Sequence, residues 1–163
     1  MFVLVKILLL ISLAFIFLQD HKDRQVYVFL FPLFGIFGSY LFFLNSTLEY
    51  YLLSVCINLG IVLIVVLINY LFAELVLKKN FLKEALGLGD ILFFIAFALC
   101  FPTGAFINFF VFSILFTFVL HLALSKLLKK KNKNIPLAGY ISLFLMVAYL
   151  VSWLGFYDSL YLL

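Results

Sequence analysis

The polar residues of this chain gather in short clusters between long apolar runs, and that arrangement constrains the fold more than any other feature. The clusters read "QDHKDRQ", "NSTLE", "KKNFLKEALGLGD", "PTG" and "SKLLKKKNKN". Between them lie six apolar stretches, at roughly 2–18, 26–44, 50–77, 91–101, 105–125 and 136–156. Runs of about 18 or more apolar residues read as membrane helices. A helix pairs its own peptide groups, which hydrocarbon cannot do for it. Only 11% of the residues are charged, whereas a soluble domain carries roughly 25%. The pattern predicts an all-α, polytopic integral membrane protein of about six transmembrane helices, with residues 1–163 forming a single membrane-embedded domain.

The first run is read as a retained helix rather than a signal peptide. Its only charge, Lys6, lies inside the run, and "QDHKDRQ" follows where a small-residue cleavage site would stand. Lys22 and Arg24 follow span one, Lys78, Lys79 and Lys83 follow span three, and Lys126, Lys129, Lys130, Lys131 and Lys133 follow span five. These are alternate loops, so the positive-inside rule puts them all in the cytoplasm and both termini outside. Lys6 is the exception, and its long stem allows it to snorkel to the outer interface. The net charge of +4 is therefore a topology anchor with an attraction for anionic lipid headgroups, and no platform for nucleic acid is visible. Cys56 and Cys100 stand alone in different apolar runs, so neither a metal site nor a disulfide is indicated, and both read as small packing residues.

Acidic groups are rare: Asp20, Asp23, Glu49, Glu74, Glu84, Asp90 and Asp158. In such a chain each is a functional candidate, because an ionisable group near hydrocarbon is costly. The topology brings two of them together. Asp20 ends span one, Asp90 begins span four, and both ends face the cytoplasm. Two adjoining carboxylates cannot both ionise comfortably, so they share a proton. The ionised member then takes a proton from water while the protonated member polarises a peptide carbonyl, which is aspartic-protease chemistry without a metal or other cofactor. Gly87 and Gly89 flank Asp90 without side chains, letting an extended substrate backbone approach and permitting conformations that a Cβ resists. The plainer reading of "GLGD" is a helix start with Asp90 as its N-cap.

The pair "DHKDRQV" (Asp20 to Val26) and "GLGD" (Gly87 to Asp90) resembles the membrane aspartic peptidases that process type IV prepilins and archaeal preflagellins. Asp20, Lys22, Arg24 and Val26 match the family's first motif, and Asp90 closes its GxGD motif; Tyr27 stands where a proline is usual. "IPLAGY", Ile135 to Tyr140, resembles the start of the family's last helix. The resemblance implies catalytic Asp20 and Asp90, and it implies a substrate with a short basic leader ahead of a hydrophobic helix, cut after a glycine in the leader. It further implies location in the cytoplasmic membrane with the site on the cytoplasmic side. The paired cysteines of the larger bacterial members, and with them the methyltransferase-associated domain, have no counterpart here.

Asp23 is the rival for the first position, but Asp20 has the matching spacing to the basic residues. Glu74 reads as structural, within reach of the interface or a lysine. Asn58 and Asn69 share nearly one helix face and read as interhelical hydrogen-bond partners. His121 has no second ligand near it, and His21 adjoins Asp20. Span four, Ile91 to Phe101, holds eleven residues and rises only ~16 Å, so its "PTG" turn is expected to be buried below the outer surface in a locally thinned bilayer. The competing functional class is a membrane protein without catalysis, either a transport subunit or an inactive or repurposed peptidase serving assembly.

Overall fold

A computed structural model describes residues 2–75, 87–128, 136–155 and 160–161 of the chain. Lys78, Lys79, Lys83, Glu84, Lys129, Lys130, Lys131, Lys133, Ile135 and Asp158 lie outside the described residues, as do the side chains of Asp23 and Lys126. Six helices follow one another: α1 (Phe2–Asp23), α2 (Leu30–Leu44), α3 (Leu48–Leu75), α4 (Leu88–Ala98), α5 (Thr103–Leu128) and α6 (Leu137–Trp153). The fold is all-α, as the apolar runs require. Three segments, Phe2–Lys22, Leu48–Leu75 and Thr103–Leu124, are long and apolar enough to cross a membrane unaided. The other three helices, α2, α4 and α6, are shorter.

Three helix boundaries near Asp20 and Asp90 depart from the apolar runs. Helix α1 runs on to Asp23, so Asp20 stands inside its last turn rather than after it. Arg24 then ends the helix with φ 53°, the left-handed region, unusual for a residue with a Cβ. Helix α2 begins at Leu30 rather than near residue 26, and Gln19 fastens the intervening connector by accepting a 3.0 Å hydrogen bond from the Tyr27 amide. Helix α4 begins at Leu88 with Gly87 as its N-cap, so Asp90 lies in its first turn and is not the cap.

Helix α1 buries Val5, Leu9, Leu13 and Ile16. These recur every three or four residues, which places them on one stripe. Asp20 extends the same stripe by one more turn. The stripe packs against α6 and α2, while α4 is enclosed by α2, α3 and α6. Lipid tails are as apolar as the side chains, so association in a membrane rests on close packing rather than on hydrophobic transfer. Phenylalanine supplies that packing. Phe93 stacks on Phe34 of α2 at 5.4 Å, Phe94 meets Phe110 of α5 edge-on at 5.1 Å, and Phe97 meets Phe106 of α5 at 5.3 Å. Such pairs contribute about 0.5–1.5 kcal/mol each beyond area. Phenylalanine, whose abundance carries no signal in the sequence, forms much of the core around α4, while Phe2, Phe15, Phe72, Phe112 and Phe118 are exposed.

Small residues bring the helices close. A Cβ at Gly38 would collide with the Cys100 sulfur, and one at Gly35 would sit 3.3 Å from the Cα-borne methyl of Ala96. Cys100 is buried in this seam and donates to the Ala96 carbonyl, whereas Cys56 is exposed. Asn69 does not bridge helices as expected, since it donates to the Val65 carbonyl of its own helix and faces outward. Glu74 takes a hydrogen bond from Tyr70, one turn earlier. Lys6 places its ammonium 4.9 Å from the centre of the Trp153 ring, so it finds an aromatic face instead of only reaching the interface.

The end of α4 decides how so short a helix is tolerated. Its 11 residues rise ~16 Å against a hydrocarbon core of ~30 Å. The turn that follows is buried at Cys100, Phe101 and Pro102. Helix C-termini leave carbonyls without partners, and in hydrocarbon no water can supply them. Asn58 of α3, fully buried, donates its amide group to the Ala98 carbonyl at 3.0 Å and to the Phe101 carbonyl at 2.8 Å. The backbone of the turn is therefore paired inside the protein at Ala98 and Phe101, while of the "PTG" residues only Pro102 is buried, Thr103 is half-buried and Gly104 is exposed. Asn58→Leu should lower stability by about 1–3 kcal/mol, the cost of an orphaned buried polar group. Thermal unfolding in detergent checks this, with Asn69→Leu expected to change the midpoint little.

Candidate functional site

Helix α6 opens on Pro136, whose side chain cannot cap it, and the first amides of a helix have no intrahelical acceptor. Two carboxylates from other helices fill the vacancy. The Ala138 amide donates to Asp90 Oδ1 at 3.2 Å, and the Gly139 amide donates to Asp20 Oδ2 at 2.6 Å. Successive amides of one helical turn thus hold the two aspartates side by side, close enough for Asp90 to feel the charge of Asp20. The positive end of the α6 dipole points at both.

Each carboxylate reaches this point for a local reason. Asp20 continues the buried stripe of α1 and so faces α6. Asp90, in the first turn of α4, projects beside the same helix end. Gly139 leaves the room Asp20 needs, since a Cβ there would lie 3.0 Å from both Cβ and Oδ2 of the aspartate. Of the two parts expected of Gly87 and Gly89, backbone freedom is not needed. Gly87 has φ −71° and ψ 149°, which any residue adopts, and Gly89 lies within α4, so neither glycine is there for backbone freedom. A Cβ at Gly87 would stand 3.5 Å from Asp90 Oδ2, and one at Gly89 would stand 3.5 Å from Phe31. Both are ordinary contacts, so what the glycines keep is open space beside Asp90.

That space is a cavity of about 610 Å³ lined by Asp20, Arg24, Phe31, Gly87, Gly89 and Asp90, among others. Its size is ordinary for a binding pocket. Arg24 and His21 stand within electrostatic reach of Asp20. The His21 ring lies between two aromatic rings, 5.8 Å from Phe17 and 6.1 Å from Tyr140, so its main contacts are aromatic. Among the described residues no three His, Cys, Asp or Glu side chains gather where they could hold a metal ion.

Asp20, Asp90, Gly87 and Gly89 are thus brought together, while the side chain of Asp23 is outside the described residues. The amides of Ala138 and Gly139, and the guanidinium of Arg24 at the cavity wall, were not assigned to the site from sequence. A proline opening an apolar helix was the available signal, because it leaves the next amides without a cap. Comparison with protein-family models, curated proteins and solved structures gave no match.

The crowding at Gly139 can be measured without any activity. Gly139→Ala should destabilise the protein by about 1–3 kcal/mol, the usual cost of overpacking, and should do so less in an Asp20→Ala background, where Cγ and Oδ2 are gone. A double-mutant cycle on thermal midpoints reads this coupling, and full additivity would show that the two residues do not press on each other.

Proposed function

We propose that this chain is an aspartic endopeptidase of the membrane, removing the short basic leader from prepilin-like proteins at the cytoplasmic face. The observation that carries the reading is the juxtaposition of Asp20 and Asp90 on successive amides of α6 within one cavity. Exposed Lys22 and Arg24, next to the dyad, favour the cytoplasmic side for it.

The reaction follows from two carboxyl groups sharing one proton. The ionised carboxylate removes a proton from a water molecule as its oxygen bonds to the scissile carbonyl carbon. The protonated carboxyl gives its proton to the carbonyl oxygen, forming a tetrahedral diol. In the second step the acquired proton passes to the leaving nitrogen, the C–N bond breaks, and the diol returns a proton to the other carboxylate, so the pair ends as it began. The amides of Ala138 and Gly139 keep both groups in position throughout without becoming reactants. The open space at Gly87 and Gly89 admits an extended backbone beside Asp90. A basic leader suits the negative charge of the dyad, and a hydrophobic helix suits entry from the bilayer.

The test uses the full chain in liposomes with peptides that join a short basic leader ending in glycine to an apolar helix. Asp20→Asn and Asp90→Asn should each reduce cleavage at least a thousandfold while expression and membrane insertion remain, and Asp23→Asn should keep most activity. Cleavage persisting in either of the first two variants, or absent in the unaltered chain, would overturn the reading; the second result would place the chain among non-catalytic assembly proteins. Because the carboxylates supply both acid and base, cleavage should also survive EDTA, and rescue by added zinc after loss on chelation would indicate a different mechanism.

A further inference from the structure

Exposed apolar surface carries no information by itself in a chain that lies in lipid. Concavity does, and so does its position. Helices α2 and α4 both begin at the dyad end and run side by side away from it, leaving a groove of about 300 Å³ between them. Phe31 and Leu92 line this groove and the dyad cavity alike, so the two are continuous. Along α2 the groove follows Phe31, Gly35 and Ser39, and along α4 it follows Leu92, Ala96 and Leu99. Both series step by three or four residues, which keeps each on one helix face.

The floor is small and buried, with Ala96 only 5% exposed, while Ile36 and Ile95 stand out at 64% and 40% as rims. In hydrocarbon, small residues between larger rims are where a further helix can approach, because association there depends on packing contacts. The stretch from Phe31 to Ser39 spans eight residue steps, or ~12 Å at the helical rise, about two turns of a docked helix. At the far end the Ser39 hydroxyl is engaged with the Tyr51 hydroxyl at 2.6 Å, so the groove offers no free polar group at depth. Its one polar opening is the dyad.

We infer that the α2–α4 groove seats the first two turns of the substrate's hydrophobic helix, directly after the peptide bond presented to Asp20 and Asp90. The inference rests on the peptidase reading and names the surface that reading leaves open. A substrate helix in this groove lies along the membrane normal with its N-terminal end in the cavity. The groove thereby measures the distance from the start of the helix to the cleaved bond, and cleavage is confined to the leader junction.

Site-specific photocrosslinking tests it. A benzophenone amino acid is placed at Ile36 or Ile95 on the rims, and at Ile64 or Val119, which are exposed on α3 and α5, as controls. Each is combined with Asp90→Asn so that bound substrate is not consumed, and the leader–helix peptide is supplied in liposomes. The rim positions should give at least tenfold more enzyme–peptide adduct than the controls, mapping to the first seven or so residues after the junction. Equal yields at all four positions, with the unaltered chain still cleaving the peptide, would overturn the groove and leave the peptidase reading standing. Adducts between two enzyme chains at the rims would also overturn it, by showing a second copy in that place. An unaltered chain that cleaves no leader peptide would remove the peptidase reading, and with it the occupant assigned here.

Discussion

A helix that begins inside a protein must find acceptors for its first amides, and the start of α6 finds them in two carboxylates from distant parts of the chain. Hydrogen bonds to charged groups contribute about 1.5–3 kcal/mol each, and here they join α1, α4 and α6 at one point. The same contacts hold two acids together that would otherwise repel. Fold and candidate chemistry are consequently not separable at this end of the molecule: the capping of α6 needs the aspartates, and the aspartates need α6 to stay adjacent. Pro136 sharpens the dependence, because a Ser or Asp in its place would cap the helix locally and release the carboxylates from that task.

The helix lengths are organised around this point. The three shorter helices, α2, α4 and α6, all start at the dyad end, whereas the long helices α1, α3 and α5 run the opposite way. Short helices leave backbone ends at depths where lipid cannot pair them, and the protein must do so. Asn58 performs that task for α4, reaching from α3 to two carbonyls. The seam of Gly35 and Ala96 serves both ends of this design, since it draws α2 and α4 together and forms the floor of the groove leading from the cavity.

Phenylalanine shows how composition and packing differ as information. In the sequence it marks the runs as apolar and says nothing more. In the folded chain Phe93, Phe94 and Phe97 radiate from α4 to rings on α2 and α5, and Phe101 lies against Tyr149 of α6 at 5.3 Å. Rings of fixed shape, some stacked and some edge to face, hold a short central helix in one rotation about its axis, and that rotation aims Asp90 at α6.

What the sequence determined by itself is whatever depends on local composition: that the chain is helical and of membrane type, and that Asp20 and Asp90 come to the same end of their helices. Alternation of basic breaks was enough to bring Asp20 and Asp90 to one side, because charge placement at a membrane is a property of each loop separately. The helix ends were less legible, since α1 continues through polar residues to Asp23 and α4 starts two residues before Asp90. Hydropathy marks where lipid begins, not where hydrogen bonding stops. Only the tertiary structure decided that Asn58 crosses to α4 while Asn69 turns back on its own helix, that Gly139 makes room for Asp20, and that backbone amides rather than side chains hold the dyad. Backbone donors are present at every residue and leave no mark in a sequence. Which of them lack a partner is settled only when a helix begins in a particular place and another chain segment comes to meet it.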